Sequence, residues 1–525
     1  MVDIPEPTPA ERKLIAAAAK GEIADFRTGD KDRDDPANGA NWGSDRTIRA
    51  EILCLLATRT VPDWPLHWHG ILLVGARITG SIDLEGARLD TRLILHRCVF
   101  DAVVWLQDSE IDFLSLQGSR LPSLNADRMV VKGSVFLRDG FHATGAVRLP
   151  GADIGGDLAC GNGRFENAEG DAIVADQATV KGNVFLNDGF HATGAVRLPG
   201  ANIGGSLACR KGRFENAEGD ALVADQAAVK GAVFLNDGFH ATGEVRLPGA
   251  DIGGDLDCSK GKFENDSDDQ FVLERAKIAG ALNWTKVKLV GNGTISFHLA
   301  SVGTIIDDEK SWPKKDNLFL DGLRYTMLGW NSPTGWRARK DWLDRQAFRP
   351  RDFRPQPYEQ LIKVLRAMGH DRDARQIAME KQRALRRRGG LKLHERLWNC
   401  FMGITLGYGY QPWRAVVVLF MFLVLGGIGA YCAAERGIMV PAKERVYMAA
   451  TYPPAPSDYP VLDPMIYSLD VLLPIVDLHQ ESYWLPSVNK PYGALARWYM
   501  WLHIALGWIL TTLAVAGFTG LVKKD

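Results

Sequence analysis

The segment DGFHATGAVRLPGADIGGDLAC at 139–160 returns as DGFHATGAVRLPGANIGGSLAC at 188–209 and as DGFHATGEVRLPGADIGGDLDC at 237–258. The cysteines that close the copies, at positions 160, 209 and 258, are therefore 49 residues apart. A fixed period with short apolar runs indicates a solenoid, in which each coil buries its apolar face on its neighbours. We expect the three cysteines to lie in one inward column, with glycines at the corners of the coil.

The same kind of pattern extends over residues 71–305. Short apolar runs open at a small or turn residue every eleven or twelve residues, as in Gly80-Ser-Ile-Asp-Leu84 and Gly133-Ser-Val-Phe-Leu137. This spacing is too short for a helix with its turns and suits a strand plus a corner. We predict a β-solenoid with 49-residue repeats over this range.

Polar side chains within the copies repeat with the same period. They could form ladders of ligands or ladders that only stabilise the coil. Because repetition copies every residue, functional or not, structural ladders are the favoured interpretation. The residues concerned are Asp157, Asp255, His142, His191 and His240.

Two long apolar segments lie in residues 412–525, which we predict to be a two-span membrane domain. Residues 415–434 carry no charge, and in residues 498–522 only His503 could be charged near neutral pH. Each segment is long enough, as a helix, to cross a hydrocarbon core of about 30 Å. Two buried helices of a soluble core are the less favoured alternative.

Basic residues set the expected orientation of these spans. Several arginines lie shortly before the first span in the sequence, and Lys523 and Lys524 follow the second. The positive-inside rule then places both termini in the cytoplasm and the connecting loop outside. The N-terminus has neither a positive n-region nor an apolar h-region, so no cleaved signal is expected.

The remaining segments read as helical. Residues 1–70 are predicted to be a helical cap, with a capping box Thr8-Pro-Ala-Glu11 that opens a helix to about Phe26 and a second helix over Ser44–Thr58. Residues 306–411 are predicted to be a helical linker with a helical hairpin around Gly369. Its basic stretch suits anionic lipid head groups, or it only orients the spans. The basic residues are Arg386, Arg387 and Arg388.

The loop between the spans contains a further helix signal. Asp463 followed by Pro464 is an N-cap with proline at the first helical position, and Pro474 ends the apolar stretch. An acidic segment, Ile475-Val-Asp-Leu-His-Gln-Glu481, comes next. The predicted order is an outer helix, a short re-entrant helix, an extended acidic segment and an inner helix.

Two parts of the chain resemble known families. Gly75-Ala-Arg-Ile-Thr-Gly-Ser-Ile-Asp-Leu84 resembles the pentapeptide-repeat-like β-helix modules of bacterial membrane proteins, which implies a right-handed coil, although a strict five-residue repeat is absent. The order of elements in 412–525 resembles the two-helix pore domain of tetrameric cation channels, which implies a homo-oligomer, with a tetramer as the expected form. No Gly-Tyr-Gly stands at the filter position, so potassium selectivity does not carry over. Thr405-Leu-Gly-Tyr-Gly409 precedes the first span and is better explained as an elbow.

The pore resemblance identifies two groups of candidate residues. A ring of carboxylates from several subunits would favour cations by charge. Small or hydroxylated residues of the inner helix could line a pore, although such residues serve packing at least as often. The filter candidates are Asp477, Glu481, Pro474 and Val476, and the inner-helix candidates are Gly507, Thr511, Thr512 and Gly517.

No motif for catalysis is present in the sequence. The seven cysteines include no CxxC pair, and there is no P-loop, nucleophile elbow or dinucleotide fingerprint, so we predict no catalytic residue, cofactor or metal. Proteins of this layout are sometimes labelled membrane-associated oxidoreductases, but this sequence contains no motif that supports the label. A net charge of −1 gives no argument for nucleic acid.

The favoured function is therefore a multi-pass protein of the bacterial inner membrane that forms an oligomeric, cation-channel-like pore regulated through a cytoplasmic solenoid. The expected partners are the lipid bilayer, further copies of the chain, and a protein or small-molecule ligand on the solenoid. The alternative is a membrane-anchored scaffold or binding protein without a pore.

Overall fold

The computed structural model describes residues 5–266, 269–347, 353–443, 446, 458–473 and 475–519. The chain divides into two compact units, Met1–Phe348 with Arg354–Ala374, and Arg349–Phe353 with Arg375–Asp525. The first unit contains a parallel β-solenoid of about 11 turns, which confirms the predicted solenoid. The second unit is mainly helical.

The 49-residue repeat corresponds to two turns of the solenoid. Asp153 pairs with Thr179 in the next turn, and Thr179 pairs with Asn202 in the one after. Successive turns therefore take 26 and 23 residues in alternation. A typical turn contributes four two-residue strands, two to each of two parallel sheets, at 142–143, 147–148, 153–154 and 158–159.

The cysteine column exists, but the cysteines do not touch. Strand pairing places a leucine from the intervening turn between each pair of cysteines, so they are about 10 Å apart at the usual strand spacing. The thiols are fully buried, and burial raises their pKa. They are core groups, as expected from the sequence. The column comprises Leu137, Cys160, Leu186, Cys209, Leu235 and Cys258.

A ladder of phenylalanine rings fills the interior of the solenoid beside the sheet that contains Arg164–Val174. One ring comes from each successive turn, and consecutive ring centroids are 5.0 to 5.4 Å apart. Aromatic contact and complete burial make this ladder a continuous apolar core. Its members are Phe141, Phe165, Phe190, Phe214, Phe239 and Phe263.

Glycines turn only some of the corners. Gly151 and its equivalents Gly200 and Gly249 have φ between +64° and +67°, as predicted. Other corners use polar residues in the same left-handed conformation, such as Asp188 with φ +47°. Gly155 serves another purpose, because a Cβ there would lie 2.1 Å from the carbonyl oxygen of Lys132 in the preceding turn.

The N-terminal segment caps the solenoid with strands as well as helices. The capping box starts helix α1, Pro9–Lys20, as predicted, but Ala24–Asp25 pairs with Leu73–Val74 instead of extending the helix. Likewise Thr47–Arg49 pairs with Arg77–Thr79, so helix α2 covers only Ala50–Ala57. Sheet hydrogen bonds to the first turn of the solenoid override the helical pattern at both places.

The solenoid continues beyond the predicted limit at 305. Leu318–Phe319 and Arg324–Leu328 pair in parallel with the strands of the preceding turn, and helix α3, Trp336–Asp344, follows. Two helices, α4, Gln356–Ala367, and α5, Asp371–Arg388, lie where the hairpin was predicted, on either side of Gly369 with φ +82°.

The second unit contains α6 and two long apolar helices. Helix α6, Leu393–Thr405, leads through the elbow Gly407–Gly409, a 3-10 turn, into α7, Trp413–Glu435. Beyond it lie α8, Pro464–Leu472, α9, Gln480–Tyr483, and α10, Gly493–Phe518. By length and composition α7 and α10 can each cross a membrane. Met439–Pro441 pairs with Trp484–Pro486 as an antiparallel ladder.

The described strands of the first unit form two sheets. One sheet comprises Ala24–Asp25, Ile71–Val74, Arg88–His96, Glu110–Ser115, Val130–Val131, Val135–Phe136, Asp153–Ile154, Leu158–Ala159, Thr179–Val180, Val184–Phe185, Asn202–Ile203, Leu207–Ala208, Ala228–Val229, Val233–Phe234, Asp251–Ile252, Leu256–Asp257, Lys277–Trp284, Ser301–Asp307 and Arg324–Leu328. The other comprises Thr47–Arg49, Arg77–Thr79, Ile82–Asp83, Val99–Phe100, Val104–Trp105, Arg120–Leu121, Leu124–Asn125, His142–Ala143, Val147–Arg148, Arg164–Val174, His191–Arg197, Arg213–Val223, His240–Arg246, Lys262–Asn265, Asp269–Val272, Lys288–Gly291, Thr294–Ser296 and Leu318–Phe319. Short 3-10 helices occur at Pro36–Asn41, Ser44–Arg46 and Glu309–Ser311.

Candidate functional site

Helix α8 packs between α7 and α10, and its start follows the predicted signal. The Asp463 carboxylate accepts hydrogen bonds from the backbone N–H groups of Met465 and Ile466 at 2.9 and 3.0 Å. Pro464 occupies the first helical position, where no N–H is needed. The sequence therefore encodes where this short helix begins.

A hydrogen-bond chain fastens α8 to both long helices. The Ser468 hydroxyl donates to the carbonyl oxygen of Leu423 in α7 at 2.9 Å. It has only one proton, so at 3.2 Å the Nε2 of His503 in α10 must be the donor to Ser468. The three helices are thereby held in one arrangement.

Glycines let α8 approach its neighbours closely. A Cβ on Gly426 of α7 would lie 2.2 Å from the Ser468 hydroxyl oxygen. A Cβ on Gly507 of α10 would lie 1.9 Å from the carbonyl oxygen of Leu472, at the end of α8. Gly507, a predicted pore-lining candidate, is thus a packing contact within one chain.

His503 also faces a small cavity. Its side chain is 3% exposed, and Nδ1 has no hydrogen-bond partner among the described residues. The cavity, of about 40 Å³, is also lined by Tyr467, Met439 and Met500. A lone histidine in the apolar run 498–522 is the sequence signal for such a position, and its partners were not evident from the sequence.

Asp470 fixes the acidic segment that follows α8. This buried carboxylate accepts the N–H of Leu478 on Oδ1 at 2.6 Å and the N–H of Glu481 on Oδ2 at 2.9 Å. The Gln480 side chain meanwhile accepts the N–H of Asp463 at 3.3 Å. The segment therefore runs back alongside α8 towards its start. Sequence reasoning did not assign this role to Asp470, the only charged residue in the helix.

The filter candidates lie on this segment. Asp477 is 76% exposed, and its carboxylate accepts the N–H of His479 at 3.0 Å and pairs with the His479 ring at 2.9 Å. Burial and the carboxylates of Asp470 and Asp477 raise the pKa of Glu481. Val476 is partly exposed beside them, whereas Pro474 lies outside the described residues. Three carboxylates are thus brought together near the end of α8.

The other inner-helix candidates lie elsewhere on α10. Gly517 packs near Leu406 and Pro412, at the end of the helix far from α8. The Thr512 hydroxyl donates to the carbonyl oxygen of Trp508 within the same helix, and Thr511 precedes it. The structure does not bring these residues to the acidic segment. Arg386, Arg387 and Arg388 form the last turn of α5.

In the solenoid, the repeated polar residues form structural ladders. Each histidine bonds a glutamate of the next turn: His142 to Glu166 and His191 to Glu215 at 2.9 Å, and His240 similarly at 3.2 Å. Asp157 accepts the backbone N–H of the next turn at 2.7 Å, and Asp255 does the same. These contacts support the structural interpretation over a ligand ladder.

Glu244 departs from the repeat. The first two copies have Ala146 and Ala195 at this position, and only the third carries a carboxylate. Glu244 pairs in register with Asp220 of the neighbouring turn. Burial is the largest cause that raises the pKa of Glu244 to about 7, and repulsion from the Asp220 carboxylate is the next. The charges of Asp225 and Asp269 also raise this pKa, whereas that of Arg246 lowers it.

We predict that Glu244→Gln stabilises the solenoid at pH 8 more than at pH 5. The pKa of Glu244 is raised from 4.5 to about 7 in the folded protein, so between these pH values the unfolded chain ionises this carboxyl more readily than the folded protein does. The free energy of unfolding therefore falls as pH rises through this range. The expected gain at pH 8 is roughly 1 kcal/mol or more. Urea unfolding followed by circular dichroism measures it. Glu218→Gln, which removes an exposed carboxylate from the neighbouring turn, is the control, and equal effects of the two variants would contradict the prediction.

The described residues contain no group of three histidine, cysteine or acidic side chains placed to hold a metal ion. No protein-family model, no curated protein and no solved structure matches the chain.

Proposed function

We propose that the second unit is one subunit of a homo-oligomeric cation pore in a bacterial inner membrane. In this proposal α7 and α10 span the bilayer, α8 is a re-entrant helix, both termini are cytoplasmic, and the solenoid regulates opening. The observation that carries the proposal is the exposed acidic segment, residues 475–481, which Asp470 holds beside the buried end of α8.

The depth of α8 supports a re-entrant arrangement. Trp498 in α10 has the amphipathic ring that favours the membrane interface. Gly507, which contacts the end of α8, lies nine residues after Trp498, or about 14 Å along the helix. Half of a hydrocarbon core is about 15 Å. The end of α8 would then lie near the bilayer midplane.

A segment at this depth has to be shielded from lipid. Asp477 is largely exposed in the single chain, as is Ile475, and the backbone around them is irregular. Irregular backbone and carboxylates are tolerated at membrane depth only where protein covers them or where they line a water-filled space. Further copies arranged around an axis through this segment satisfy both conditions, whereas two long helices alone cannot enclose a pore.

The charges on the segment favour cations. Asp470 lies behind it, and Asp477 and Glu481 lie on it, so each subunit would contribute three carboxylates near the axis. The C-terminal, negative end of α8 points in the same direction. Carboxylate rings select cations by charge, so no choice among monovalent cations is part of the proposal.

Planar-bilayer recordings of the purified protein test the proposal. Wild-type protein should give currents whose reversal potential in a salt gradient shows cation preference. Asp477→Asn removes one charge per subunit at nearly constant volume and should reduce the cation-to-anion permeability ratio by a few-fold. Glu435→Gln, which removes an exposed carboxylate at the end of α7, should leave the ratio unchanged.

Two results would contradict the pore. One is the absence of currents from wild-type protein, and the other is an identical reversal potential for wild type and Asp477→Asn. The mass of the protein in detergent gives an independent check, because a monomer could not form the pore. A membrane-anchored scaffold would then be the better hypothesis.

A further inference from the structure

Helix α6 presents an apolar face that its own unit leaves uncovered. Leu393, Leu397 and Ile404 recur on one side of the helix and are 75%, 63% and 60% exposed. Trp398 beside them is also exposed, and its ring contacts that of Phe401 in a tilted arrangement with the centroids 5.6 Å apart. Apolar residues at this spacing form a continuous stripe along a helix. Such a stripe on an exposed helix indicates a partner.

The position of α6 within the second unit limits what that partner can be. Leu406, just past its end, is fully buried with Ala415 of α7 and Ala514 of α10. The Arg414 guanidinium also donates to the carbonyl oxygen of Gly403 at 3.2 Å. Helix α6 therefore leaves the rest of the unit where α7 begins and α10 ends, which is the level of a membrane surface if α7 spans a bilayer.

The flanking charge is strongly positive. Residues 381–396 contain seven lysines and arginines and a single acidic residue, Glu395. That glutamate is occupied as a cap, accepting the backbone N–H of Lys392 at 2.9 Å. An identical basic surface on a second copy would be repelled, whereas anionic lipid head groups would be attracted. Charge therefore favours lipid over self-association as the partner of α6.

We propose that α6 lies in the surface of an anionic lipid leaflet, with its apolar stripe at the acyl-chain boundary and its basic flank among the head groups. Amphipathic helices with basic polar residues and exposed leucine and tryptophan bind membranes in this way. The inference rests on the proposed membrane placement of α7. It adds a surface contact that the two spans by themselves do not require.

Fluorescence quenching on the full-length protein tests the inference. The native cysteines that are not buried, Cys54, Cys400 and Cys432, are replaced by serine, and the four buried ones are kept because they are shielded from the label. A fluorophore is then attached in turn to Leu397→Cys, Ile404→Cys and Glu395→Cys, the last on the opposite face of α6. The protein is reconstituted in vesicles of phosphatidylcholine and phosphatidylglycerol. Brominated acyl chains should quench positions 397 and 404 several-fold more than 395, and aqueous acrylamide should show the reverse order.

A label on Phe420→Cys, on an exposed face of α7, separates this inference from the proposed function. Lipid quenching at 420 but not at 397 or 404 would overturn the inference alone. No lipid quenching at 420 would overturn the membrane placement of α7 and both proposals with it. Shielding of 397 and 404 from both quenchers would show that protein covers the stripe and would also overturn the inference. In vesicles of phosphatidylcholine alone, lipid quenching at 397 should fall, and unchanged quenching would contradict the requirement for anionic lipid.

Discussion

Replacing Asp307 by alanine is expected to destabilise the last turns of the solenoid by about 3–5 kcal/mol, because it leaves a buried guanidinium without its partner. Arg339 is fully buried, and its two terminal nitrogens donate to the two Asp307 oxygens at 2.8 and 2.7 Å. The Trp312 indole also donates to this carboxylate at 2.8 Å. The pair ties α3 to the strand Ser301–Asp307.

Chemical unfolding of the purified protein, followed by circular dichroism, measures this loss. Asp341→Ala is the matched control, because Asp341 of α3 forms an ion pair with Arg345, just past the end of that helix, but is 45% exposed. The control should cost no more than about 1 kcal/mol. Equal losses for Asp307→Ala and Asp341→Ala would contradict the prediction.

A double variant separates the charge effect from simple loss of packing. Asp307→Leu combined with Arg339→Met replaces the buried ion pair by apolar side chains. Such replacements are often neutral or stabilising, because neither charge has to leave water. The double variant should therefore recover much of the stability that Asp307→Ala loses.

The second large effect is expected at Gly507. A Cβ at this position would lie 1.9 Å from the backbone carbonyl oxygen of Leu472, and backbone cannot move aside as a flexible side chain can. Gly507→Ala should push α8 away from α10 and weaken the bond between His503 and Ser468. Overpacking of this kind costs at least about 1–3 kcal/mol.

Gly429→Ala provides the control for this variant. A Cβ on Gly429 in α7 would meet the Tyr499 ring at 3.5 Å, an ordinary contact. Because alanine favours helix over glycine by up to about 1 kcal/mol, Gly429→Ala should be neutral or slightly stabilising. Thermal unfolding and size-exclusion profiles in detergent compare the two. A Gly507→Ala protein as stable as Gly429→Ala would show that α8 does not approach α10 so closely.

Several features followed from the sequence because they are local or repeated. Near-identical copies at 139–160, 188–209 and 237–258 must adopt near-identical local structures, and short strands in such copies can bury their apolar sides only on one another. Capping signals act within one turn of helix, so Thr8 and Asp463 mark the starts of α1 and α8 correctly. Long runs of apolar residues likewise suffice to indicate α7 and α10.

The tertiary structure decided what depends on pairing between distant residues. That each repeat makes two turns follows from the register of strands such as Asp153 with Thr179, not from the period itself. Thr47–Arg49 became a strand, and strands continued past 305, because the free edges of a parallel sheet offer hydrogen bonds that local propensity does not anticipate.

The candidate site divides in the same way. The sequence by itself determined that a short helix and an acidic segment lie between two apolar helices. Only the fold decided that Asp470 holds this segment, that Ser468 meets His503, and that Gly507 is covered by α8. The reason is physical: a hydrogen bond or a close approach is set by the position of its partner in space, and residues 468 and 503 are brought together only by the packing of three helices.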